Sequence, residues 1–592
     1  MAFIYMFKQL WFFAERERWK VVIYLFFHLI SVLGELGKPF AFAMVLNALQ
    51  KNDPHVVNEV IHWLIFYVAC FFVFEVFHRS ARFIERFVAF RNRKRFVNMM
   101  YNHLQSLPLE WHSDNHSGAI IDRVNKASTG LYSFSQSQFI YVQVIMQFFV
   151  PLIVLWTISP IISFITMASG FLLVYVTKKL YNLSIPEYRA QNDKFHRVAA
   201  GLHDYISNIT TIIMLRLSNS ANKEINERID DVLPHMKKDN IITHVKCFVA
   251  ALIMISLDIG LISYYIYAQM ENGELVMVGS VTLIFLYLHQ CMASFSYYSG
   301  DYEQVIHWKT DFEAIKPIMD ERPYTYTQNR IELKDWKHLN IDALNFSYEK
   351  RRHTIKNVSL NLEEGKKIAF VGESGSGKTT LLKLLRGITP VQGGIMTKED
   401  GTCLPISSLS STTTLIPQEP EIFENTIRYN ITMGIPAKEK EVQDAMSLAG
   451  FTKVVERLPY GLESDVREKG VNLSGGERQR LALARGIFSI QDSSIVLLDE
   501  PTSNVDPGIE ITIFKRLFEY LSDRCVVSVL HRLHLVRFFD YVYVLKDGEI
   551  VEEGTFASLS NNNGEFRRLW KKYLDEEGEL EGNKEGDLEV NI

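Results

Sequence analysis

The sequence predicts an α-helical membrane domain in the first half of the chain and an α/β domain with a phosphate-binding loop in the second half. Three observations support this fold class. The first half carries long apolar runs rich in Phe, Tyr, Ile and Leu. The second half has the mixed composition of a soluble α/β domain, and it contains the pattern GxxxxGK[ST] from Gly372 to Thr379. That pattern is typical of loops that bind nucleoside triphosphates.

Length, charge and cysteine content narrow the class of protein. The chain has 592 residues, which is enough for several domains. Its formal net charge of -5 is small for this length, and it gives no indication of a nucleic-acid partner. The five cysteines lie far apart without metal-binding spacing, so we expect them to act as small apolar packing residues.

Six apolar segments of the first half are long enough to cross a membrane, for which a helix needs about 20 residues. They are residues 21–46, 57–77, 139–158, 161–181, 247–270 and 278–298. An amphipathic stretch at residues 3–13 precedes them and is expected to lie along the membrane interface. The sequence therefore predicts a multi-pass integral membrane protein that contacts membrane lipids.

The connections between these spans differ in length and charge. Residues 79–132 and 182–246 form long connections rich in Lys and Arg, whereas the remaining connections are short and poor in both. Positively charged connections stay on the cytoplasmic side of a membrane. We therefore expect both long connections, both termini and the whole second half to be cytoplasmic. The plasma membrane, which is the inner membrane in a bacterium, is the expected location.

The phosphate-binding loop is predicted to lie between a strand at residues 367–371 and a helix at residues 379–386. Its glycines allow backbone N–H groups to surround the phosphates, and the N-terminus of the helix favours an anion. Lys378 is expected to reach the terminal phosphates, and the Thr379 hydroxyl is expected to hold Mg²⁺. The expected nucleotide-binding residues are Gly372, Glu373, Ser374, Gly375, Ser376, Gly377, Lys378, Thr379 and Thr380.

Further elements follow the loop in a fixed order. They are Gln418 in the string Ile-Pro-Gln-Glu-Pro, the string Leu-Ser-Gly-Gly-Glu that begins at Leu473, the apolar run that ends in Asp499 and Glu500, and the isolated His531. In order and spacing they resemble the ATPase cassette of ATP-binding cassette (ABC) proteins, over residues 340–574. The resemblance implies that the chain binds and hydrolyses ATP, with Mg²⁺ as its cofactor.

The resemblance also implies a role for each of these side chains. Gln418 and Asp499 are expected near Mg²⁺. Glu500 is expected to orient or polarise the attacking water, and His531 is expected to contact the γ-phosphate. Tyr348 matches the aromatic residue that stacks on adenine. A structural tyrosine, a structural histidine and a strand that simply ends in two acidic residues are the alternatives. The implied chemistry is positioning and charge neutralisation around the transferring phosphoryl group.

The Leu-Ser-Gly-Gly-Glu string is predicted to begin a helix whose N–H groups form another anion site. Its residues are Ser474, Gly475, Gly476 and Glu477, with Glu477 standing where Gln is more frequent. In ABC proteins this site closes on the γ-phosphate that the opposite cassette binds. Because one chain carries one loop and one such string, the resemblance implies a dimer. A homodimer with a second copy of this chain is expected, and a heterodimer with a degenerate partner is the alternative.

Six spans, two long cytoplasmic connections and a following cassette together resemble a half-transporter of the ABC exporters, which include multidrug and lipid exporters. The predicted domains are a membrane domain at 1–310, a linker at 311–339, a cassette at 340–574 and an acidic tail at 575–592. The tail is expected to be disordered because it has few hydrophobic residues. The resemblance further implies coupling segments at residues 107–124 and, less specifically, at 201–217, together with a contact at 467–470.

The membrane domain gives limited information about the cargo. Asp258 lies in the middle of an apolar span, and such residues often mark functional sites. It is expected either to contact cargo or protons or to join two helices by a hydrogen bond. The expected function is ATP-driven export, or outward flipping, of an amphipathic, lipid-like or drug-like molecule by alternating access. Peptide export, and a channel or regulator that does not pump, are the alternatives.

Overall fold

A computed structural model describes most of the chain. The described residues are 2–51, 54–115, 117–323, 333, 335–348, 354–389, 391–466, 473–490 and 493–586. The chain divides into two compact units, one of Met1–Gln105 with His116–Glu321 and one of Ser106–Asn115 with Arg322–Ile592. The division after Glu321 falls within the predicted linker, and the predicted domain bounds otherwise stay predictions.

Helices are the only regular elements among the described residues before residue 322. Its α-helices are α1 (Ala2–Ala14), α2 (Arg18–Gln50), α3 (Val56–Gln105), α4 (Leu109–Asp114), α5 (Ser117–Ser135), α6 (Gln138–Ile158), α7 (Pro160–Ser207), α8 (Ile209–Met214), α9 (Ser218–Asp230), α10 (Leu233–Glu271), α11 (Val278–Glu313) and α12 (Lys316–Met319). Helix α4 belongs to the second unit, and the others belong to the first.

Several of these helices are long and apolar enough to cross a membrane. By length and composition, the described residues contain five such segments, at Ala2–Gln50, Val56–Gln105, Gln138–Ile158, Pro160–Glu187 and Ser218–Glu271. The shorter apolar stretch Val278–Ser294 covers most of the sixth predicted span. Helix α3 has 50 residues. A helix of that length extends about 75 Å, well beyond a hydrocarbon core of about 30 Å. The long connections predicted from the sequence are therefore largely continuations of membrane helices.

The second unit contains the strands. They are β1 (His338–Phe346), β2 (Ile355–Glu363), β3 (Lys367–Gly372), β4 (Gly393–Lys398), β5 (Cys403–Leu404), β6 (Thr413–Ile416), β7 (Asn425–Thr426), β8 (Asp465–Val466), β9 (Ile495–Asp499), β10 (Cys525–Val529), β11 (Tyr541–Lys546) and β12 (Glu549–Gly554). A six-stranded sheet has the order β12-β11-β3-β10-β9-β6, and a four-stranded sheet has the order β2-β1-β4-β5. Strands β7 and β8 form a separate antiparallel pair.

The central strands β3, β10 and β9 of the six-stranded sheet are buried on both faces. Strand β3 pairs in parallel with β10 and β11, and β9 pairs in parallel with β10 and β6. Successive side chains of a strand point to opposite faces. Val496 and Leu498 accordingly pack in one hydrophobic core, whereas Ile495 and Leu497 pack in another. Parallel strands covered on both faces read as continuous apolar runs, which explains the run that precedes the Asp-Glu pair.

The helices of the second unit cover this sheet. After α4 they are α13 (Lys378–Arg386), α14 (Ile427–Thr432), α15 (Glu439–Leu448), α16 (Thr452–Glu456), α17 (Gly475–Ser489), α18 (Pro507–Tyr520), α19 (Phe556–Asn561) and α20 (Glu565–Gly586). A helical first part followed by an α/β second part confirms the predicted fold class.

The acidic end of the chain differs from its prediction. Helix α20 continues to Gly586, whereas disorder was expected from Asp575 onwards. Its sequence is rich in Glu, Leu and Lys, which favour helix, and its first turns are anchored to the domain. Phe566 is fully buried, and the Glu552 carboxylate accepts hydrogen bonds from the N–H groups of Glu565 and Phe566. Residues 587–592 lie outside the described chain.

Candidate functional site

The phosphate-binding loop joins β3 to α13 and depends on its glycines. Gly372, Gly375 and Gly377 have φ angles of 153°, 82° and 102°, in the region that favours glycine. A Cβ atom on Gly372 would lie 2.2 Å from the carbonyl oxygen of Leu545, and one on Gly377 would lie 2.9 Å from Ile355. The narrow backbone turn therefore tolerates no side chain at either position. The loop opens directly into the first turn of α13, where N–H groups are available to an anion.

The Lys378 side chain is buried against the phosphate-binding loop. Its Nζ donates hydrogen bonds of 2.8 Å to the carbonyl oxygens of both Gly372 and Glu373. Burial lowers the pKa of this lysine, while the carboxylates of Glu500 and Asp499 act in the opposite direction. The ammonium group is thus held at the mouth of the loop, where it faces the two acidic residues at the end of β9.

A hydroxyl and a carboxylate meet beside the loop. Thr379 Oγ1 donates a hydrogen bond of 3.1 Å to Asp499 Oδ1, across 120 residues of sequence. Strands β3 and β9 lie on either side of β10, so their carboxyl ends bring these residues to one edge of the sheet. Burial raises the pKa of Asp499, and the hydrogen bond from Thr379 opposes this rise. Hard oxygen ligands of this kind fit Mg²⁺, which binds through a few protein oxygens and keeps the rest of its shell as water and phosphate.

Glu500 lies at the centre of the site. Gln418 Nε2 donates a hydrogen bond of 2.8 Å to Glu500 Oε2, and His531 Nε2 lies 3.4 Å from Glu500 Oε1. Burial raises the pKa of Glu500, and His531 is the strongest of the groups that lower it. The structure thus brings together the sequence-predicted trio, with Gln418 and His531 each next to one oxygen of the Glu500 carboxylate.

These groups surround a single cleft. A cavity of about 370 Å³ is lined by Gln418, Glu500 and His531 and by the loop residues Ser374, Gly375, Gly377, Lys378, Thr379 and Thr380. Tyr348 is half-exposed, and its hydroxyl lies 3.4 Å from Thr380 Oγ1. Its ring packs edge-on against Phe346. The half-exposed Tyr348 ring therefore lies close to the loop, and its stacking on adenine stays a prediction.

Ser474 caps the N-terminus of α17. Its hydroxyl accepts a hydrogen bond from the N–H of Glu477, and the Glu477 carboxylate accepts one of 2.9 Å from the N–H of Ser474. Glu477 also pairs with Arg457. Glu477 completes a reciprocal capping box, so an acidic side chain at this position stabilises the start of the helix. The Glu477 carboxylate therefore already has partners within its own chain. A Cβ atom on Gly475 would meet nothing within 4 Å, so the helix start is open.

Two residues of the site were not singled out by sequence reasoning. Gln479 Nε2 donates hydrogen bonds to the Glu500 carbonyl oxygen (3.2 Å) and to Ser503 Oγ (2.9 Å). Arg532 Nη1 donates to the carbonyl oxygen of Val505 (2.7 Å) and to Glu510 Oε2 (3.0 Å). Both side chains contact the segment that follows β9. Their position next to recognised motif residues was the available signal, but backbone acceptors leave no trace in a sequence.

The predicted coupling segments belong to different units, and their coupling role stays a prediction. Helix α4 lies within the first segment, and it packs in the second unit, where Glu110 Oε1 accepts a hydrogen bond of 2.9 Å from Thr389 Oγ1. Thr389 comes shortly after the end of α13, the helix that begins with Lys378. The second segment, 201–217, belongs to the first unit. The predicted contact at 467–470 lies outside the described residues.

Asp258 has a partner within the membrane domain. Its Oδ2 lies 3.2 Å from His289 Nε2, which joins α10 to α11. This hydrogen bond is the interhelical contact that the sequence offered as one of two alternatives. Two charged residues of α2 also have partners: Lys38 Nζ lies over the Phe74 ring, and Gln143 Nε2 lies 3.5 Å from Glu35 Oε2.

Comparisons with known proteins cover both halves of the chain. The family model for the ABC transporter transmembrane region matches residues 21–295, and the ABC transporter model matches residues 355–503. The ABC transporter aclQ of Aspergillus oryzae is 28% identical over 502 residues, covering 81% of this chain and 60% of that protein. Heavy metal tolerance factor 1 of Caenorhabditis elegans is 28% identical over 506 residues, with the same coverage.

Two further comparisons agree with these. ATP-binding cassette sub-family B member 6 of Rattus norvegicus is 27% identical over 509 residues, covering 80% of this chain and 57% of that protein. The chain therefore spans about 60% of the length of the curated relatives that it matches. The solved structure of a bacterial Atm1-family ABC exporter with ATP bound shares the fold, with a TM-score of 0.79, 21% identity and coverage of 94% of this chain and 99% of that one. With matches to both halves in this order, the chain belongs to the ABC transporters.

Proposed function

We propose that this protein uses ATP hydrolysis to export, or to flip outward, an amphipathic, lipid-like or drug-like molecule across its membrane. The observation that carries the proposal is the convergence of Gln418, Glu500 and His531 on a cleft that opens onto the phosphate-binding loop. This arrangement supports hydrolysis, and its fusion to membrane helices supports a use of the released free energy in transport.

Each side chain has a distinct part in the proposed hydrolysis. Lys378 and the N–H groups of the loop bind and orient the phosphates. Thr379, Asp499 and the Gln418 amide would hold Mg²⁺, which neutralises phosphate charge when it is bound. Glu500 accepts the proton of the attacking water or orients that water, and His531 keeps the carboxylate in place. No covalent intermediate is needed.

The functional protein is proposed to be a dimer. Helix α17 presents its open N-terminus at Ser474 and Gly475, on the chain that also carries the loop. A second copy would supply this anion site to the nucleotide of the first, because ABC cassettes complete their sites in pairs. We propose a homodimer because this chain carries every catalytic side chain that the resemblance implies, and a heterodimer with a degenerate partner is the alternative. The cassettes are proposed to be cytoplasmic, since the long basic connections predict that orientation.

Nucleotide state would reach the membrane domain through α4. The Glu110–Thr389 hydrogen bond joins this helix to the chain that follows α13. Because α13 is a short rigid helix with Lys378 at its start, a shift of the loop on nucleotide binding would move Thr389 as well. Closure and opening of the cassettes would then bias the membrane domain between inward and outward states.

The cargo is tested by a stimulation screen. ATPase activity of nanodisc-embedded protein is measured with lipids, cationic drugs, peptides, and cadmium or zinc ions alone, the metals being included because a relative is named for heavy metal tolerance. Saturable stimulation by lipids or amphipathic drugs supports the proposal. Stimulation by peptides alone favours the peptide-exporter alternative, and nucleotide-dependent conductance across a bilayer favours the channel alternative.

A further inference from the structure

The catalytic carboxylate depends on an unusual backbone conformation. Glu500 has a φ angle of 47°, in the left-handed region that disfavours residues with a Cβ atom. A non-glycine residue stays in this region only when its surroundings hold it there. Glu500 directly follows β9, so its backbone sets the direction in which the carboxylate leaves the sheet. A contact that fixes this backbone therefore also fixes the carboxylate.

Gln479 makes that contact with its whole amide group. Its Nε2 donates to the Glu500 carbonyl oxygen at 3.2 Å and to Ser503 Oγ at 2.9 Å, and its Oε1 accepts from the Asn504 N–H at 2.7 Å. Only 2% of the residue is exposed. Both donors and the acceptor of one buried side chain are thus used on a segment of five residues. An amide is the side chain that supplies donors and an acceptor together.

The start of the same helix lies against the same segment. A Cβ atom on Gly476 would lie 2.7 Å from the carbonyl oxygen of Asn504. Gly476 and Gln479 are three residues apart, so they share one face of α17. This close approach is independent of the Gln479 hydrogen bonds. It shows that the first turn of α17 packs directly against the backbone of Asn504.

We propose that Gln479 is a positioning residue that holds the Glu500 backbone, and thereby the catalytic carboxylate, in its position at the cleft. The inference rests on the proposed function, because it assigns Glu500 to hydrolysis. It adds a physical link to that function. Ser474, which caps helix α17, is proposed to meet the nucleotide of the second chain. Through Gln479, the position of that helix determines the position of Glu500 in its own chain.

The test compares four versions of the full-length protein in nanodiscs: wild type, Gln479→Met, Gln479→Glu and Arg524→Met. Gln479→Met removes the donors and the acceptor at nearly constant volume. We expect it to lower kcat about 10- to 100-fold, because misplacement by about 1 Å costs this much, with the Kd for ATP changed less than about threefold. Gln479→Glu keeps an acceptor for Asn504 and loses the donors, so we expect a similar loss of kcat.

Arg524→Met is the matched control. It removes a hydrogen bond of 2.6 Å to the Ile490 carbonyl, at the other end of α17. We expect it to lower thermal stability while kcat stays within about threefold of wild type. A kcat for Gln479→Met that falls no further than that of the control would overturn the proposal, as would an equal loss of kcat and ATP affinity. If Gln479→Met does not fold, Gln479→Glu decides the same comparison.

Hydrogen exchange separates this inference from the proposed function. The Asn504 amide should be protected in wild type and in Gln479→Glu, and at least about tenfold less protected in Gln479→Met. If the wild-type protein hydrolyses no ATP, the proposed function fails. Hydrogen exchange of the Asn504 amide then tests by itself whether Gln479 holds this segment. Unchanged exchange at Asn504 in Gln479→Met would then overturn it. If the wild type hydrolyses ATP and Glu500→Gln abolishes turnover, the function stands, and kcat decides the role of Gln479.

Discussion

Replacement of Glu500 by glutamine should stop hydrolysis and still allow the two proposed cassettes to close on bound ATP. The amide has the shape of the carboxylate, so its oxygen still accepts the 2.8 Å hydrogen bond from Gln418. The variant loses only the negative charge and the basicity that His531 faces at 3.4 Å. ATP affinity should therefore be kept or increased, because a negative charge next to the phosphates is removed.

The size of the effect follows from the role of the group. Loss of a positioned general base costs about 10²- to 10⁴-fold in rate. At about 1.4 kcal/mol for each factor of ten, this corresponds to a barrier higher by about 3 to 6 kcal/mol. Phosphate release from purified protein measures kcat, and nucleotide trapping with size analysis detects the closed dimer. Glu519→Gln, an exposed glutamate on α18, is the control and should behave as wild type.

Steady-state hydrolysis by Glu500→Gln within about threefold of wild type would refute the role assigned to this carboxylate. A large loss of ATP binding would refute the geometric part of the argument instead, because an isosteric amide should leave the cleft intact.

Three further predictions follow from other parts of the structure. Gly372→Ala should destabilise the cassette by about 2 kcal/mol or more and weaken ATP binding, since its Cβ would lie 2.2 Å from the Leu545 carbonyl oxygen; Gly508→Ala, with nothing within 4 Å, is the neutral control in thermal unfolding. Because burial raises the pKa of Glu500 and the base must be ionised, kcat should fall as pH decreases through a value above 4.5, and Gln418→Leu should move this acid limb to higher pH by removing a hydrogen bond that favours the ionised form. Asp258→Asn can keep the hydrogen bond to His289, so it should leave basal hydrolysis and thermal stability nearly unchanged, while the loss of negative charge should alter cargo-stimulated ATPase activity; unchanged stimulation would assign Asp258 to helix packing alone.

Much of the site could be predicted because its motifs fix local backbone geometry. The loop pattern specifies a strand, a turn with positive φ angles and a helix, and this arrangement brings Thr379 towards the end of a neighbouring parallel strand. Asp499 ends such a strand, so the 3.1 Å contact between the two follows from sheet topology. The continuous apolar run before it was readable for the same reason.

Other contacts had no signature in the sequence. Gln479 and Arg532 bond to backbone carbonyl groups, which every residue possesses, so side-chain chemistry does not reveal their partners. The pairing of Asp258 with His289 depends on the relative rotation of two helices, which apolar spans determine only weakly. The helix that continues to Gly586 was not predicted, because the low hydrophobicity of this segment indicates disorder whereas its Glu, Leu and Lys residues favour a helix.

The central claim is that two copies of the chain complete each other's nucleotide sites, and a mixed dimer tests it most directly. Lys378→Ala disables the loop of one copy, and Ser474→Arg blocks the start of α17 in the other. Each variant alone should be inactive as a homodimer. Co-expressed under different tags and purified by both, they should form a dimer with one complete site, and hydrolysis should rise well above that of either parent. If each chain instead completed its own site, both sites would stay broken, and a rate no higher than the mean of the parents would contradict the account.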